Sequence, residues 1–140
     1  MKEALTQEIE LQIQEGATVF RAGGALGFDT LAALCVLDLR RKHPNVRLEL
    51  ILPCPTQTKD WTFSDARLYE QIMEQADLVR YVSPFYHNGV LQMRNRALVQ
   101  GSDVCIAFLK NSQGGTAYTA AYALKNGLEL VNLAEQLPHL

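Results

Sequence analysis

The chain has 140 residues and a mass of 15.6 kDa, the size of one domain and not two. Hydrophobic residues make up 48% and charged residues 20%, with a mean hydropathy of -0.05, which excludes wholesale disorder and fits a soluble globular protein. Thirteen basic residues against fifteen acidic ones give a net charge of -2, which argues against a generic binder of nucleic acid.

Apolar periodicity then divides the chain into alternating helices and strands. Residues 2–14 set Leu5, Ile9 and Ile13 four apart among Glu and Gln, an amphipathic helix that Gly16 stops. Thr18–Ala22 reads as a short strand, and Leu26–Lys42 as a long helix closed by His43-Pro44. Val46–Leu52 alternates apolar residues with Arg47 and Glu49, the pattern of a strand buried mainly on one face and placed at a sheet edge. A loop opened by Pro53 and Pro55 runs through Trp61, which either stacks on a base or covers the core. Ser64 is the predicted cap of a helix reaching Ala76.

Leu78–Ser83 is a strand, Pro84–Asn88 a loop, Gly89–Gly101 a helix, and Val104–Leu109 a continuously apolar strand. A polar glycine loop, Lys110–Gly115, leads into an alanine-rich helix over Thr116–Asn126, ended by Gly127, and Leu128–Leu133 is the last strand. Such alternation predicts an α/β fold, a three-layer α/β/α arrangement with a mainly parallel sheet covered on both faces. A domain of this kind usually opens with a strand that becomes central, whereas this chain opens with a helix. An unusual strand order, a fragment, or a partner that fills the gap all remain open.

Cys35, Cys54 and Cys105 are odd in number, widely spaced and set in apolar stretches, so they read as buried free thiols and not as disulfides or zinc ligands. No apolar run approaches the ~18 residues of a membrane span, and the acidic N-terminus has no apolar signal core. A cytoplasmic location is the expectation.

Two glycine turns carry the chemistry. Gly23-Gly24-Ala25-Leu26-Gly27-Phe28-Asp29 follows a strand and opens a helix. Its glycines allow a sharp turn and a close approach by a ligand, and the first helical amides form an anion site. It is neither the dinucleotide fingerprint nor the P-loop. Gln113-Gly114-Gly115-Thr116 lies in the same context, with Thr116 as an N-cap. Each turn alone is as well explained by a bland strand-to-helix connection. Together, in a parallel sheet, both face the rim where ligands of open α/β sheets bind.

Arg94 and Asn95, on the helix before the apolar strand, are candidates for gripping a phosphate and reading a sugar or base, while Arg96 falls on another face and reads as surface. Asp29 either complements the helix dipole or accepts hydrogen bonds from ribose hydroxyls. Tyr86 and His87 sit in a loop near the rim, and His43 and His139 have no evident partners.

GGALGFDTLAA (Gly23–Ala33), LPCPTQ and Trp61 (Leu52–Trp61), the Tyr81–Tyr86 segment, QMRNRALV (Gln92–Val99) and GGTAYT (Gly114–Thr119) together resemble the YpsA-like branch of the SLOG superfamily, which is bacterial. The order and spacing agree from about Leu5 to Leu133. The resemblance implies a Rossmann-like fold over the single domain 1–140 and a pocket for a nucleotide or nucleotide-derived ligand such as ADP-ribose, NAD or a mononucleotide, with no other cofactor required. It places Gly23, Gly24, Gly27, Phe28 and Asp29 in the first turn of that pocket, Arg94 and Asn95 on its arginine-asparagine helix, and Gly114, Gly115 and Thr116 in the second turn. YpsA-like proteins usually begin with a strand ending in a Gly-His-Arg-type motif, which is absent here, and Met93 stands where a basic residue is common.

Two relatives in the superfamily imply other functions. Lonely Guy phosphoribohydrolases cleave nucleoside monophosphates with a carboxylate after the second glycine turn, yet Val104–Leu128 contains neither Asp nor Glu. DprA-like proteins bind single-stranded DNA, which needs a basic groove with stacking aromatics that the scattered Arg residues do not supply. Ligand binding, with sensing as one use of it, therefore ranks above catalysis, with no catalytic or metal residue assigned. The absent first strand leads us to expect self-association as a homo-oligomer.

Overall fold

A computed structural model of the chain describes residues 1–110 and 114–137. Gln113 of the second turn and His139 lie outside these. Among the described residues five helices and five strands alternate: α1 (Lys2–Gln14), β1 (Val19–Ala22), α2 (Phe28–Arg40), β2 (Arg47–Leu52), α3 (Phe63–Gln75), β3 (Leu78–Tyr81), α4 (Val90–Val99), β4 (Val104–Ala107), α5 (Gly115–Lys125) and β5 (Glu129–Asn132), followed by a 3-10 turn at Leu133–Glu135. All strand pairs are parallel, as expected for a Rossmann-like α/β fold.

The strands form two sheets, β1-β2-β3 and β4-β5. Val46–Leu52 is therefore not an edge strand: β2 pairs with β1 on one side and β3 on the other. Its apparent polar face misleads because the Glu49 carboxylate is met by Arg21 Nε of β1 at 3.2 Å, while Ile51 on the same face is fully buried. Leu48, Leu50 and Leu52 point the other way into the main core with Leu5, Ile9, Val36 and Ile72 of α1, α2 and α3. The opposite face of β2 is covered by α4, which also packs on α5.

Chain direction reverses after β3. The path β1-α2-β2-α3-β3 steps outward one way, then α4 carries it back across β2 and β4-α5-β5 steps outward the other way. Between the halves, β1 and β4 leave their unpaired edges on one cavity, with no described strand between them. A second, smaller apolar cluster of Val99, Ala123 and Leu128 sits on the β4-β5 side.

Local corrections are small. Thr62, not Ser64, caps α3, because its Oγ1 accepts the Asp65 N–H at 3.2 Å and Ser64 already lies inside the helix. The Val104–Leu109 strand ends at Ala107, since the Asn132 side chain takes both the N–H and the C=O of Leu109 at 2.9 Å in place of a neighbouring strand. Cys35 and Cys54 are buried and Cys105 half-buried; all three are free. No helix among the described residues is long and apolar enough to cross a membrane.

Candidate functional site

At the carboxyl end of β1 the chain turns through Gly23 and Gly24, both buried, into α2. Gly27 is the N-cap of α2 at φ 86° and ψ -118°, and no side chain caps the helix. Two first-turn side chains instead hold the main chain on both sides of Ala25: Asp29 Oδ2 accepts its N–H at 3.2 Å and Thr30 Oγ1 donates to its C=O at 3.0 Å. The amides of Phe28, Asp29 and Thr30 are the N-terminal donors that an α-helix leaves without internal partners.

Arg94 reaches this turn from α4. It is buried; its Nη1 donates to the Gly23 C=O and its Nε donates to Asn95 Oδ1 at 2.9 Å. Asn95 in turn faces the second turn, where a Cβ added to Gly115 would sit 3.9 Å from its Nδ2. The second turn matches the first in form. Gly114 is the N-cap of α5 at φ 95°, again without a side-chain cap, so Thr116 lies inside the helix and is not its cap. One neighbouring pair on α4 thus lies between the two glycine turns, bonded to the first and adjacent to the second.

Both turns open on one cavity of about 780 Å³. Gly23, Phe28 and Asp29 line it from the first turn, Arg94 and Asn95 from α4, and Gly115 and Thr116 from the second. Gly24, Gly27 and Gly114 do not. At Gly24 (φ 79°) a Cβ would overlap Leu52 Cδ2 and the Tyr69 hydroxyl, so this glycine admits the protein's own core beneath the turn and not a ligand above it.

Charge in the site is balanced and poorly solvated. Burial pushes the Asp29 carboxyl above the ordinary carboxylate range, against the Ala25 amide, the Arg94 charge and the Gly23 amide. Burial likewise pulls the Arg94 guanidinium down, with Asp29 opposing. For both groups the loss of water outweighs their mutual attraction. Beneath them the Tyr69 hydroxyl is buried without a well-formed hydrogen bond, and burial followed by the Asp29 charge pushes its ionisation far up, against Arg94 and the neighbouring Gln57 side chain.

Other candidates lie elsewhere. Trp61 stacks edge-on against Tyr69 with ring centroids 5.6 Å apart, so it covers the core. His87 Nδ1 pairs with the Asn88 C=O at 2.9 Å, and Tyr86 is exposed; neither lines the cavity. Arg96 Nη1 donates to the Tyr118 hydroxyl at 3.0 Å, tying α4 to α5. His43 does have a neighbour, Glu10, at 3.7 Å. No cluster of His, Cys, Asp or Glu suited to a metal occurs among the described residues. Sequence reasoning missed Thr30 and Tyr69. The first sits at a fixed offset from Ala25 and was findable as a local cap; the second is brought under the turn by tertiary packing alone.

The chain is similar to the UPF0398 protein BH1768 of Halalkalibacterium halodurans, 30% identical over 128 residues that cover 89% of this chain and 68% of that protein. It is also 28% identical over 131 residues to the SPbeta prophage-derived protein YoqJ of Bacillus subtilis, covering 85% of this chain and 77% of YoqJ. The UPF0398 protein BBR47_29830 of Brevibacillus brevis matches at 26% over 128 residues, with 89% and 68% covered. Residues 1–132 match the YspA SLOG family, and with paired glycine turns on a reversing parallel sheet the chain belongs to that family.

Proposed function

We infer that the chain binds a nucleotide or nucleotide-derived phosphorylated small molecule at the rim shared by the two glycine turns. The observation that carries this reading is the single cavity onto which both turns open, spanned by Arg94 and Asn95. Two helices present uncapped amides there, which suits phosphate oxygens. Asp29 argues for more than bare phosphate. Its charge offsets that of Arg94, so a simple anion gains little net attraction, whereas a ligand with both phosphate and sugar hydroxyls gives each group a partner. ADP-ribose, NAD and mononucleotides have that composition, and sensing or carriage of such a metabolite ranks above turnover.

Thermal melting in the presence of each ligand tests the proposal. A ligand at one hundred times its Kd stabilises by about 2.7 kcal/mol, or roughly 8–12 °C for a chain of this size. Thr116→Asp is the decisive variant. The residue is exposed in the first turn of α5, so a carboxylate there complements the dipole and leaves the unliganded melting temperature unchanged or higher. The same carboxylate repels phosphate, and the ligand-induced rise is expected to vanish. An unchanged rise in Thr116→Asp, or no rise with any of the ligands, overturns the reading; release of free base from a mononucleotide would replace binding by catalysis.

A further inference from the structure

Tyr69 carries a buried hydroxyl under the first glycine turn and leaves it without a well-formed hydrogen bond. The residue is 1% exposed, its ring packs edge-on against Trp61, and Gln57 lies close by on the loop after β2. A hydroxyl buried in this way costs stability that a phenylalanine would not. Its place is specific: a Cβ on Gly24 would come within 2.4 Å of it. At the φ of 79° found at Gly24, that Cβ direction lies beside the carbonyl of the preceding residue. The hydroxyl therefore stands on the side of the chain to which the Gly23 C=O points.

Arg94 holds that carbonyl through Nη1, while its Nε donates to Asn95 Oδ1. A guanidinium takes a phosphate in bidentate fashion along either of two edges, Nε with Nη2 or Nη1 with Nη2. One nitrogen of each edge is thus already engaged within the protein. Release of Nη1 toward a ligand would leave the Gly23 C=O buried and unpaired, a cost comparable to the bond gained. The charges of Asp29 and Arg94 both act on the Tyr69 hydroxyl, so the three groups and the carbonyl form one polar cluster.

We propose that Tyr69 is a positioning residue for Arg94: when a phosphate-bearing ligand draws the guanidinium off the Gly23 C=O, the Tyr69 hydroxyl donates to that carbonyl in its place. The inference rests on the binding reading above. Without ligand the hydroxyl is the unpaired group; with ligand the phosphate, the guanidinium, the carbonyl and the hydroxyl each have a partner. The exchange runs toward the ligand because a hydrogen bond from Arg94 to phosphate is charged on both sides, whereas the one to the carbonyl is not. It also gives a reason for a tyrosine where a phenylalanine would fill the same apolar space under Gly24.

One arm of the test needs no ligand. In the parent Arg94 serves the carbonyl, so Tyr69→Phe is expected to melt at the parent's temperature or up to about 4 °C above it. In Arg94→Met the carbonyl depends on the hydroxyl, so adding Tyr69→Phe there is expected to lower the melting temperature by about 4–12 °C. A hydroxyl with a merely structural role gives the same sign in both backgrounds, and that result overturns the proposal. The other arm is titration calorimetry with ADP-ribose, NAD and adenosine monophosphate. Whichever of them binds the parent is expected to bind Tyr69→Phe about three- to tenfold more weakly, although the variant is no less stable. Equal affinities overturn the proposal, and they decide alone if Arg94→Met does not fold. If none of the three binds the parent, the binding reading fails, and the melting comparison by itself decides whether the hydroxyl replaces Arg94 on the carbonyl.

Discussion

Alanine at Gly24 and at Gly27 separates the two jobs a glycine can do in a strand-to-helix turn. Both residues have positive φ, 79° and 86°, so alanine at either site incurs backbone strain of about 1–3 kcal/mol. Only at Gly24 does the new methyl also meet the core: it would overlap Leu52 Cδ2 and the Tyr69 hydroxyl and lie 3.0 Å from Tyr69 Cζ, and both side chains are fully buried. Overpacking of this kind costs a further ~1–3 kcal/mol. A methyl on Gly27 meets nothing within 4 Å. Gly24→Ala should therefore unfold about 4–12 °C below Gly27→Ala, at roughly 4 °C per kcal/mol for a chain of this length. Calorimetry of the two variants without ligand measures the difference directly. If they melt together, the close packing of Tyr69 and Leu52 under the turn is wrong, and Gly24 must be reassigned to the cavity side.

Three further outcomes follow from the same cluster. Tyr69→Phe removes a buried hydroxyl that has no hydrogen-bond partner, so urea unfolding should show a change between zero and about 1 kcal/mol in favour of the variant; a loss of more than that would mean the hydroxyl is bonded. Asp29 has its pKa raised in the folded state, so its contribution is fully present below the ordinary value of 3.8 and is lost as pH rises through the raised value. Asp29→Asn keeps an acceptor for the Ala25 N–H without the charge, and its melting temperature relative to the parent should climb as pH rises from 3.8 through the raised value and level off above it; a falling difference contradicts the assigned cause. Over the same interval inorganic phosphate should bind the parent more weakly as Asp29 ionises, while its affinity for Asp29→Asn stays flatter, as titration calorimetry at several pH values would show.

What the sequence discloses here is mostly local. The order of helices and strands and the parallel sheet follow from periodicity and turn chemistry within a few residues, and the structure keeps them. Errors arise where a distant residue decides. Arg47 and Glu49 mark β2 as half-exposed by their composition, yet Glu49 is neutralised by Arg21 on a different strand and β2 runs through the middle of its sheet. Gly24 looks like a glycine kept small for a ligand, but its constraint comes from Leu52 and Tyr69, 28 and 45 positions further along the chain. Thr62 outcompetes Ser64 as a cap because only its hydroxyl lies three residues before the amide it accepts. The pairing of the turns through Arg94 and Asn95 was legible as a helix face and not as a bridge, since nothing local fixes which strand ends α4 crosses.

The place of the two glycine turns has a physical reason in the sheet. In doubly wound sheets the ligand crevice forms where the strand order reverses. Here the reversal lies between β1 and β4, the same place where the sheet is open. The amino ends of α2 and α5 are thereby brought to one rim with Arg94 and Asn95 between them, so the two glycine turns face a common space because the strand order reverses there and not because of anything local to either turn.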